Sequence, residues 1–267
     1  MAPPPPATMP LAERLKTLAQ TLQFAWFVGH LTLLISVFRY TLSFISFNYY
    51  SSAARISYRL AFVSAAVTYG IVVYKGHFAR GVSGNVSQII VKLISDENVQ
   101  YFGMALVWLY SRQLVLALLP FSVYSVFHVA TYTRTYLIPT VQPPVPNPSG
   151  PASPTSGKPA TKQSPLAETI GRFIKQYYDA SMGVVASLEI LLLFRLIISA
   201  LTFSKGSWVL LVIYLAFFRA RHAQSSFVQS AVRQGWEGFK GVVRQVYDAT
   251  NLGRYISGPA AANKKPQ

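Results

Sequence analysis

The stretch VQYFGMALVWLYSRQLVLALLPFSVYSVFHVATYTRTY, residues Val99–Tyr136, decides the fold of this chain. It carries only two charged side chains, Arg112 and Arg134, and one proline, Pro120, near its middle. A helix in a soluble core rarely exceeds about 20 residues, whereas one membrane crossing needs about 20 apolar residues. We therefore predict a membrane hairpin whose two helices fold back at Pro120.

The composition agrees with a membrane protein. The 267 residues are 52% hydrophobic and 12% charged, whereas soluble domains are about 25% charged. The 24 Lys and Arg against 8 Asp and Glu give a net charge of +16. Because this excess accompanies long apolar runs, the predicted partner is an anionic membrane surface and not nucleic acid. The absence of cysteine excludes disulfides, thiol catalysis and thiolate metal sites.

Further apolar segments flank the hairpin on both sides. They predict an all-α, multi-pass membrane protein with about six apolar helices in three hairpins, together with amphipathic terminal helices. The last two segments each hold about a dozen residues between charges, so these helices either span the bilayer or insert as wedges into one leaflet. The segments are Phe24–Phe38 with its extension to Tyr50, Ile56–Tyr74, Val184–Phe203 and Ser207–Phe218, and Val86–Ile94 is predicted as a short interfacial helix.

Proline-rich stretches divide the chain into six parts. A linker rich in proline cannot bury a core, and we expect it to be extended and disordered. The predicted parts are a disordered tail (1–10), an N-terminal membrane unit of an amphipathic helix and two hairpins (11–138), a disordered linker (139–165), a C-terminal membrane hairpin (166–221), a basic amphipathic helix (222–250) and a disordered tail (251–267).

The basic residues are distributed unevenly between the two sides of the predicted bundle. Most lie in the termini, the linker and the loops on the same side, and positive charge is enriched in cytoplasmic loops. The termini and the linker are therefore predicted to be cytosolic. The glycosylation sequence Asn85–Ser87 falls on this side, so a glycan on Asn85 would contradict the topology.

The segment Ser226–Thr250 has two contrasting helical faces. An apolar face with aromatic residues opposite a basic face is typical of a helix that lies in a membrane interface, although such a face also packs on a protein's own helices. The apolar face holds Val228, Val232, Trp236, Phe239, Val243 and Val246, and the opposite face holds Arg233, Glu237, Lys240 and Arg244.

Residues for chemistry are scarce. The four histidines are scattered without metal-ligand spacing, and no hydrolase, metalloprotease or nucleotide-binding motif is present. We therefore expect no catalytic residues, cofactor, metal or small-molecule substrate. Glu189 is the single acid within the apolar spans and needs a basic partner. Arg195 lies about 240° around the same helix, so Arg112 or His128 is the better candidate, and the three would form a buried polar clamp between the two membrane units.

The run Leu119–Thr135 carries a family resemblance. It resembles the transmembrane protein 33 family, whose fungal members include pore-membrane and peripheral endoplasmic-reticulum nucleoporin-like proteins. The resemblance implies a multi-pass protein of the endoplasmic reticulum and nuclear envelope, with reticulon-type, nucleoporin or importin partners and a C-terminal amphipathic helix. No catalytic residues can be carried over from the family. The residues that match the family motif are Pro120, His128, Thr131, Tyr132 and Thr133.

These observations predict a non-enzymatic membrane-organising protein. It would shape or sense bilayer curvature and support the tubular network of the endoplasmic reticulum and the organisation of nuclear pores. The alternative is a small transporter or channel built around Glu189, Arg112 and His128, because intramembrane ionisable residues often line ion paths. A lipid-modifying enzyme would need a convergent polar site at the interface, for which residues are scarce.

Overall fold

The computed structural model describes residues 6, 8–79, 85–143, 145–146, 161–162 and 164–249. The first pair of long helices is α2 (Leu22–Ile45) and α3 (Ser52–Val73), which pack against each other as an antiparallel hairpin. Each begins at a hydroxyl cap, because Thr21 accepts a hydrogen bond from the Phe24 N–H and Ser51 accepts one from the Ala54 N–H. Such caps satisfy backbone donors that the first helical turn leaves free.

Two of the long helices are extended by a π-helical turn. Helix α3 continues through Tyr74–Phe78, and α6 (Val115–Tyr132) continues through Thr133–Leu137 into α7 (Ile138–Val141). The fourth long helix is α8 (Pro165–Leu201), which runs unbroken over 37 residues. Within the described residues, these four helices are long and apolar enough to cross a membrane. The predicted all-α, multi-pass membrane fold is therefore confirmed.

The remaining apolar helices are shorter. Helix α5 (Glu97–Tyr110) has 14 residues, and at 1.5 Å per residue it is only about 21 Å long. Helix α8 (Pro165–Leu201) forms a hairpin with α9 (Ser207–Gln224), which has 18 residues. The three predicted hairpins are thus α2–α3, α5–α6 and α8–α9, but α5 and α9 do not meet the length and apolarity of the other four.

The predicted turn at Pro120 is wrong. Helix α5 ends at Tyr110 and α6 begins at Val115, so the chain reverses at the polar run that includes Arg112. The Leu114 N–H at this turn donates to the Tyr58 hydroxyl at 3.1 Å, which fixes the start of α6 on α3. Pro120 lies inside α6, where it removes one backbone hydrogen bond, a loss that helices in membranes tolerate.

The predicted linker, residues 139–165, is shorter than the proline content suggested. The helix continues to Val141, and Ile138 and Thr140 are buried. A two-residue antiparallel pair joins β1 (Val145–Pro146) to β2 (Thr161–Lys162). Most of the remaining linker, most of the predicted 1–10 tail before Thr8, and the whole 251–267 tail lie outside the described residues.

Three amphipathic helices complete the structure. Helix α1 (Leu11–Ala19) docks on the bundle, since Arg14 Nη1 donates to the Thr140 carbonyl at 2.7 Å. Helix α4 (Val86–Ile94) has the bounds predicted from the sequence and buries none of its residues. Helix α10 (Ser226–Ala249) confirms the predicted C-terminal helix and follows α9 after a single residue.

The core is rich in aromatic residues and lies between α2, α3, α5, α6, α8 and α9. Its largest side chains interlock edge to face, as aromatic rings prefer, and this geometry adds to the free energy gained by their burial. The fully buried members include Tyr58, Phe62, Trp108 and Tyr214, with Phe121 beside them. A smaller cluster around Phe27 and Tyr132 lies near α1.

Replacing Gly29 with alanine is expected to cost about 1–3 kcal/mol of unfolding free energy, because the new methyl group overpacks the α2–α3 contact. A Cβ at this position would lie 2.5 Å from the Thr68 Cγ2 atom, and Thr68 is fully buried. Gly103→Ala on α5 is the matched control, since no atom lies within 4 Å of its Cβ position. Thermal unfolding of the detergent-solubilised chain should separate the two variants, and equal midpoints would contradict the prediction.

Candidate functional site

A buried ion pair joins α8 to the end of α9. Glu189 is 1% exposed and Arg221 is 3% exposed. The Arg221 Nε atom lies 3.3 Å from the Glu189 Oε1 atom, and the Tyr101 hydroxyl donates to the same oxygen. The Tyr214 hydroxyl donates to the Glu189 carbonyl at 2.9 Å. Because a lone charge is costly inside an apolar bundle, this pairing is what permits Glu189 to be buried.

Arg221 connects α9 to three other helices. Its Nη1 atom lies 2.8 Å from Glu97 Oε1 at the start of α5, and its Nη2 atom donates to the Tyr124 hydroxyl of α6 at 3.3 Å. The guanidinium also lies over the Tyr101 ring, 5.2 Å from its centroid. An arginine can make several such contacts together because its five N–H groups point in fixed directions. The side chain thus holds α5, α6, α8 and α9 together at one end of the bundle.

The structure does not assemble the predicted clamp of Arg112, His128 and Glu189. Arg112 instead donates to the Ser199 hydroxyl, and its Nη2 atom lies 3.3 Å from the Ser207 hydroxyl. The reason is its place in the α5–α6 turn, at the opposite end of α5 from Glu97. Arg112 therefore does connect the two membrane units, but through hydroxyl groups of α8 and α9 and not through Glu189.

His128 belongs to a third group of contacts, between α2 and α6. Its ring centroid lies 4.6 Å from that of His30 and 4.8 Å from that of Trp26. The Nδ1 atom of His30 lies 2.9 Å from the Ser125 hydroxyl. The sequence shows these histidines as scattered, and only the packing of α2 on α6 brings them together. Within the part of the chain that the structure describes, no three metal-ligating side chains cluster.

The residues of the family motif lie along α6 and its π-helical turn. Pro120 is in the second turn of α6, and Tyr132 stacks on Phe27 with ring centroids 4.6 Å apart. Thr131 is exposed, and Thr133 begins the π-helical turn. His128 and Tyr132 of this motif thus pack α6 against α2, whereas the buried Pro120 faces residues of α5 and α8.

The first turns of α10 are docked on the bundle. Val228 is fully buried, and its N–H donates to the Ser225 hydroxyl at 3.4 Å. The Gln229 Nε2 atom donates to the His222 carbonyl at 2.9 Å, across the junction of α9 and α10. Helix α10 therefore leaves the bundle in a direction that its junction with α9 fixes, and it begins five residues after Arg221.

Beyond Val232 the apolar face of α10 is exposed. Trp236 and Phe239 are each 58% exposed, and Val243 is 49% exposed. Val246 on this face is exposed as well. On the opposite face Arg233 and Arg244 are exposed, and Lys240 pairs with Glu237 at 2.7 Å. The sequence left two alternatives for the apolar face of α10, contact with the membrane interface or packing on the protein's own helices. Among the described residues, only the base of α10 packs on the bundle.

These features define a multi-pass α-helical membrane protein whose C-terminal helix is fixed to its last apolar hairpin. The family model described as Transmembrane protein 33/Nucleoporin POM33 matches residues 6–252, so the chain belongs to this family. The resemblance inferred from the motif in α6 is thereby confirmed. No solved structure matches the chain significantly.

Fungal relatives support this assignment. The chain is 51% identical to Nucleoporin POM33 of Chaetomium thermophilum, with 99% of both chains covered. It is 32% identical to Tetra-spanning protein 1 of Schizosaccharomyces pombe, over 87% of this chain and 80% of the relative. It is 28% identical to the Pore membrane protein of 33 kDa of Saccharomyces cerevisiae, over 87% of this chain and 79% of the relative.

Proposed function

We propose that this protein is a non-enzymatic organiser of the endoplasmic reticulum and nuclear envelope, and that α10 is its lipid-binding element. The observation that carries the proposal is the exposed apolar face of Trp236, Phe239 and Val243 on a helix fixed to a membrane bundle. The names of two relatives, a nucleoporin and a pore membrane protein, support a place at the nuclear pore membrane. In this role the protein supports nuclear pore organisation and the tubular network.

The position of α10 favours insertion into one leaflet. Its 24 residues are about 36 Å long, and its docked base starts where α9 leaves the bundle. A helix held there lies along the bilayer surface, with aromatic side chains at the boundary of headgroups and acyl chains. Each basic residue near an anionic surface adds about 1 kcal/mol of attraction. The helix would therefore enlarge the cytosolic leaflet, on the side where the termini and linker are proposed to lie, and so sense or promote curvature.

The basic face of α10 is also the surface best suited to acidic protein partners. Arg233 and Arg244 remain exposed when the opposite face contacts lipid. An importin or a nucleoporin with acidic segments would dock there, and reticulon-type proteins would meet the bundle within the bilayer. We propose no nucleic-acid partner and no small-molecule substrate.

The transporter alternative gains no support from the geometry. Glu189, Arg112 and His128 belong to three separate groups of contacts, so they do not line one path. The cavity that Glu189 shares with Tyr101 and other core residues has a volume of about 10 Å³. That volume holds about one water molecule, whereas a conduction path needs a continuous polar channel.

The double variant Trp236→Asp/Phe239→Asp is expected to weaken lipid contact of α10 by about 3–6 kcal/mol, because each ring contributes about 1.5–3 kcal/mol when it leaves water. The chain has no cysteine, so Val243→Cys carries a single polarity-sensitive fluorophore in the full-length protein. In vesicles of phosphatidylcholine and phosphatidylserine, the label should report an apolar environment that the double variant abolishes.

The control for this experiment is Gln245→Ala, an exposed polar position on the same helix. It should leave both the label and the enrichment of the protein at nuclear pores unchanged. The double variant should lose that enrichment when tagged and imaged in cells. If the label still reports an apolar environment in the double variant, the lipid-binding role of α10 is contradicted. If the enrichment of the protein at nuclear pores is unchanged, the role of α10 at the pore is contradicted.

A further inference from the structure

Helix α4 exposes an apolar face that none of the described residues bury. Val86 is 69% exposed, Ile90 is 49% exposed and Ile94 is 63% exposed. Positions four residues apart share one side of a helix, so these three side chains form a single stripe, which we call the α4 face. Lys92 projects from the opposite side. A nine-residue helix with this pattern is amphipathic, although no residue of it is buried in the bundle.

Contacts at both ends hold α4 at the end of the bundle. The His77 Nε2 atom, at the end of α3, lies 2.7 Å from Asp96 Oδ2, directly before α5. The Gln100 Nε2 atom donates to the Ile94 carbonyl at 2.8 Å and lies 3.2 Å from the Gln224 Oε1 atom. Since Gln224 is the last residue of α9, the C-terminal end of α4 and the start of α10 lie at the same end of the bundle.

The contact of His77 with Asp96 is supported by further hydrogen bonds. Partial burial raises the pKa of the Asp96 carboxyl, but hydrogen bonds from His77, Asn98 and Val99 outweigh it and leave this pKa below its ordinary value. The carboxylate is thus charged at neutral pH, where it accepts the His77 N–H and the Asn98 N–H at 2.7 Å each. This contact therefore holds the extended end of α3 next to the start of α5, on either side of α4 in the chain.

We infer that α4 is a second lipid-binding helix, whose face of Val86, Ile90 and Ile94 inserts into the boundary of headgroups and acyl chains. The proposal rests on the proposed function only for the choice of the cytosolic leaflet, which α4 would share with α10. Both neighbours of α4, the extended α3 and α5, are apolar helices of the membrane bundle, so α4 lies at the level where the chain leaves the bilayer.

Lipid is the occupant that fits this position best. The extended end of α3, which precedes α4 in the chain, also exposes apolar side chains, since Tyr74 and Phe78 are about half exposed. A bilayer covers such surfaces together, and removing apolar area from water contributes about 25 cal/mol per Å². Lys92 on the other side can reach anionic headgroups while its stem covers apolar surface.

A second inserted helix changes what the protein does to a membrane. Helix α10 extends from the α8–α9 hairpin, and α4 lies between α3 and α5. With both helices in the same leaflet, the inserted area is larger than the area that α10 adds alone. Such an arrangement favours leaflet expansion, and hence curvature, over a simple tilt of the protein.

The inference is tested with single cysteines in the full-length, cysteine-free chain. Ile90→Cys places a polarity-sensitive label on the α4 face. The matched control is Ser95→Cys, a nearly isosteric change at the exposed C-cap residue directly after α4. The vesicles contain phosphatidylcholine, phosphatidylserine and a lipid with a nitroxide near the top of its acyl chain. Because inserted faces lie about 5–10 Å deep, the Ile90 label should be quenched at least about threefold more than the Ser95 label.

Each other outcome overturns the inference. A label at Ile90 with the emission of water and no quenching shows that α4 does not insert. An apolar emission without quenching by the lipid nitroxide shows that protein, and not lipid, covers the α4 face. The label at Val243 on α10 is measured in parallel, so that failure at Ile90 alone refutes the role of α4, whereas failure at Val243 refutes the proposed function.

Discussion

Replacing Arg221 with methionine is expected to lower the unfolding free energy by about 3–5 kcal/mol, because the change leaves the Glu189 carboxylate buried without its cation. Methionine has a similar length, so the loss reflects charge and hydrogen bonding more than a cavity. Arg221 also contacts Glu97 and Tyr124, and both contacts disappear in the variant. Thermal unfolding of the full-length protein in detergent, followed by size-exclusion chromatography, measures the loss.

Two further variants distinguish the loss of the ion pair from a general effect of replacing an arginine on α9. Arg219→Met lies on the same helix at an exposed position and should leave the unfolding midpoint nearly unchanged. Adding Glu189→Gln to Arg221→Met removes the unpaired charge, and the double variant should regain a large part of the stability. If Arg221→Met and Arg219→Met unfold at the same temperature, the buried pair does not hold the bundle together.

Local patterns predicted the individual helices well. The bounds of α4 agree with the prediction, and α10 begins at the predicted Ser226 and is helical up to Ala249, the last described residue. Both helices have a strong apolar periodicity that depends on neighbouring residues alone. The proline predicts the turn of the central hairpin at Pro120, whereas the structure has it at the polar residues from Ser111 to Gln113, which interrupt the apolar run earlier. A proline in a membrane helix is a weaker breaker than a polar run, since neighbouring groups compensate for its missing N–H.

The partner of Glu189 was harder to predict because it depends on the packing of helices. The need for a cation follows from the sequence, which points to Arg112 or His128, whereas the structure pairs Glu189 with Arg221. The spacing of the two residues along the chain does indicate this pair. Glu189 lies 16 residues before Lys205 in the α8–α9 turn and Arg221 lies 16 residues after it, so an antiparallel hairpin places them side by side. Tyr101 and Tyr124 carry no comparable pattern, since their contribution depends on how the α5–α6 hairpin packs against the α8–α9 hairpin.

Replacing Trp108 with alanine is the second change with a large expected effect, a loss of about 3–5 kcal/mol of unfolding free energy. Helix α5 has only 14 residues, so its position depends on its buried face and not on spanning the bilayer. Trp108 is 1% exposed and its ring centroid lies 6.0 Å from that of Tyr214 on α9. Removing the indole opens a cavity between these helices that the surrounding side chains cannot fill.

The matched control for Trp108 is Leu106→Ala, on the exposed side of the same helix, where Leu106 is 36% exposed. This change removes partly exposed methyl groups and should cost less than about 1 kcal/mol, because detergent replaces part of the lost contacts. Unfolding of the helical circular dichroism signal in detergent compares the two variants. If α5 were held by the bilayer and not by its packing on α9, the two substitutions would lower the midpoint equally. The structure predicts a difference of many degrees, because α5 meets α3, α6 and α9 through one face that Trp108 dominates.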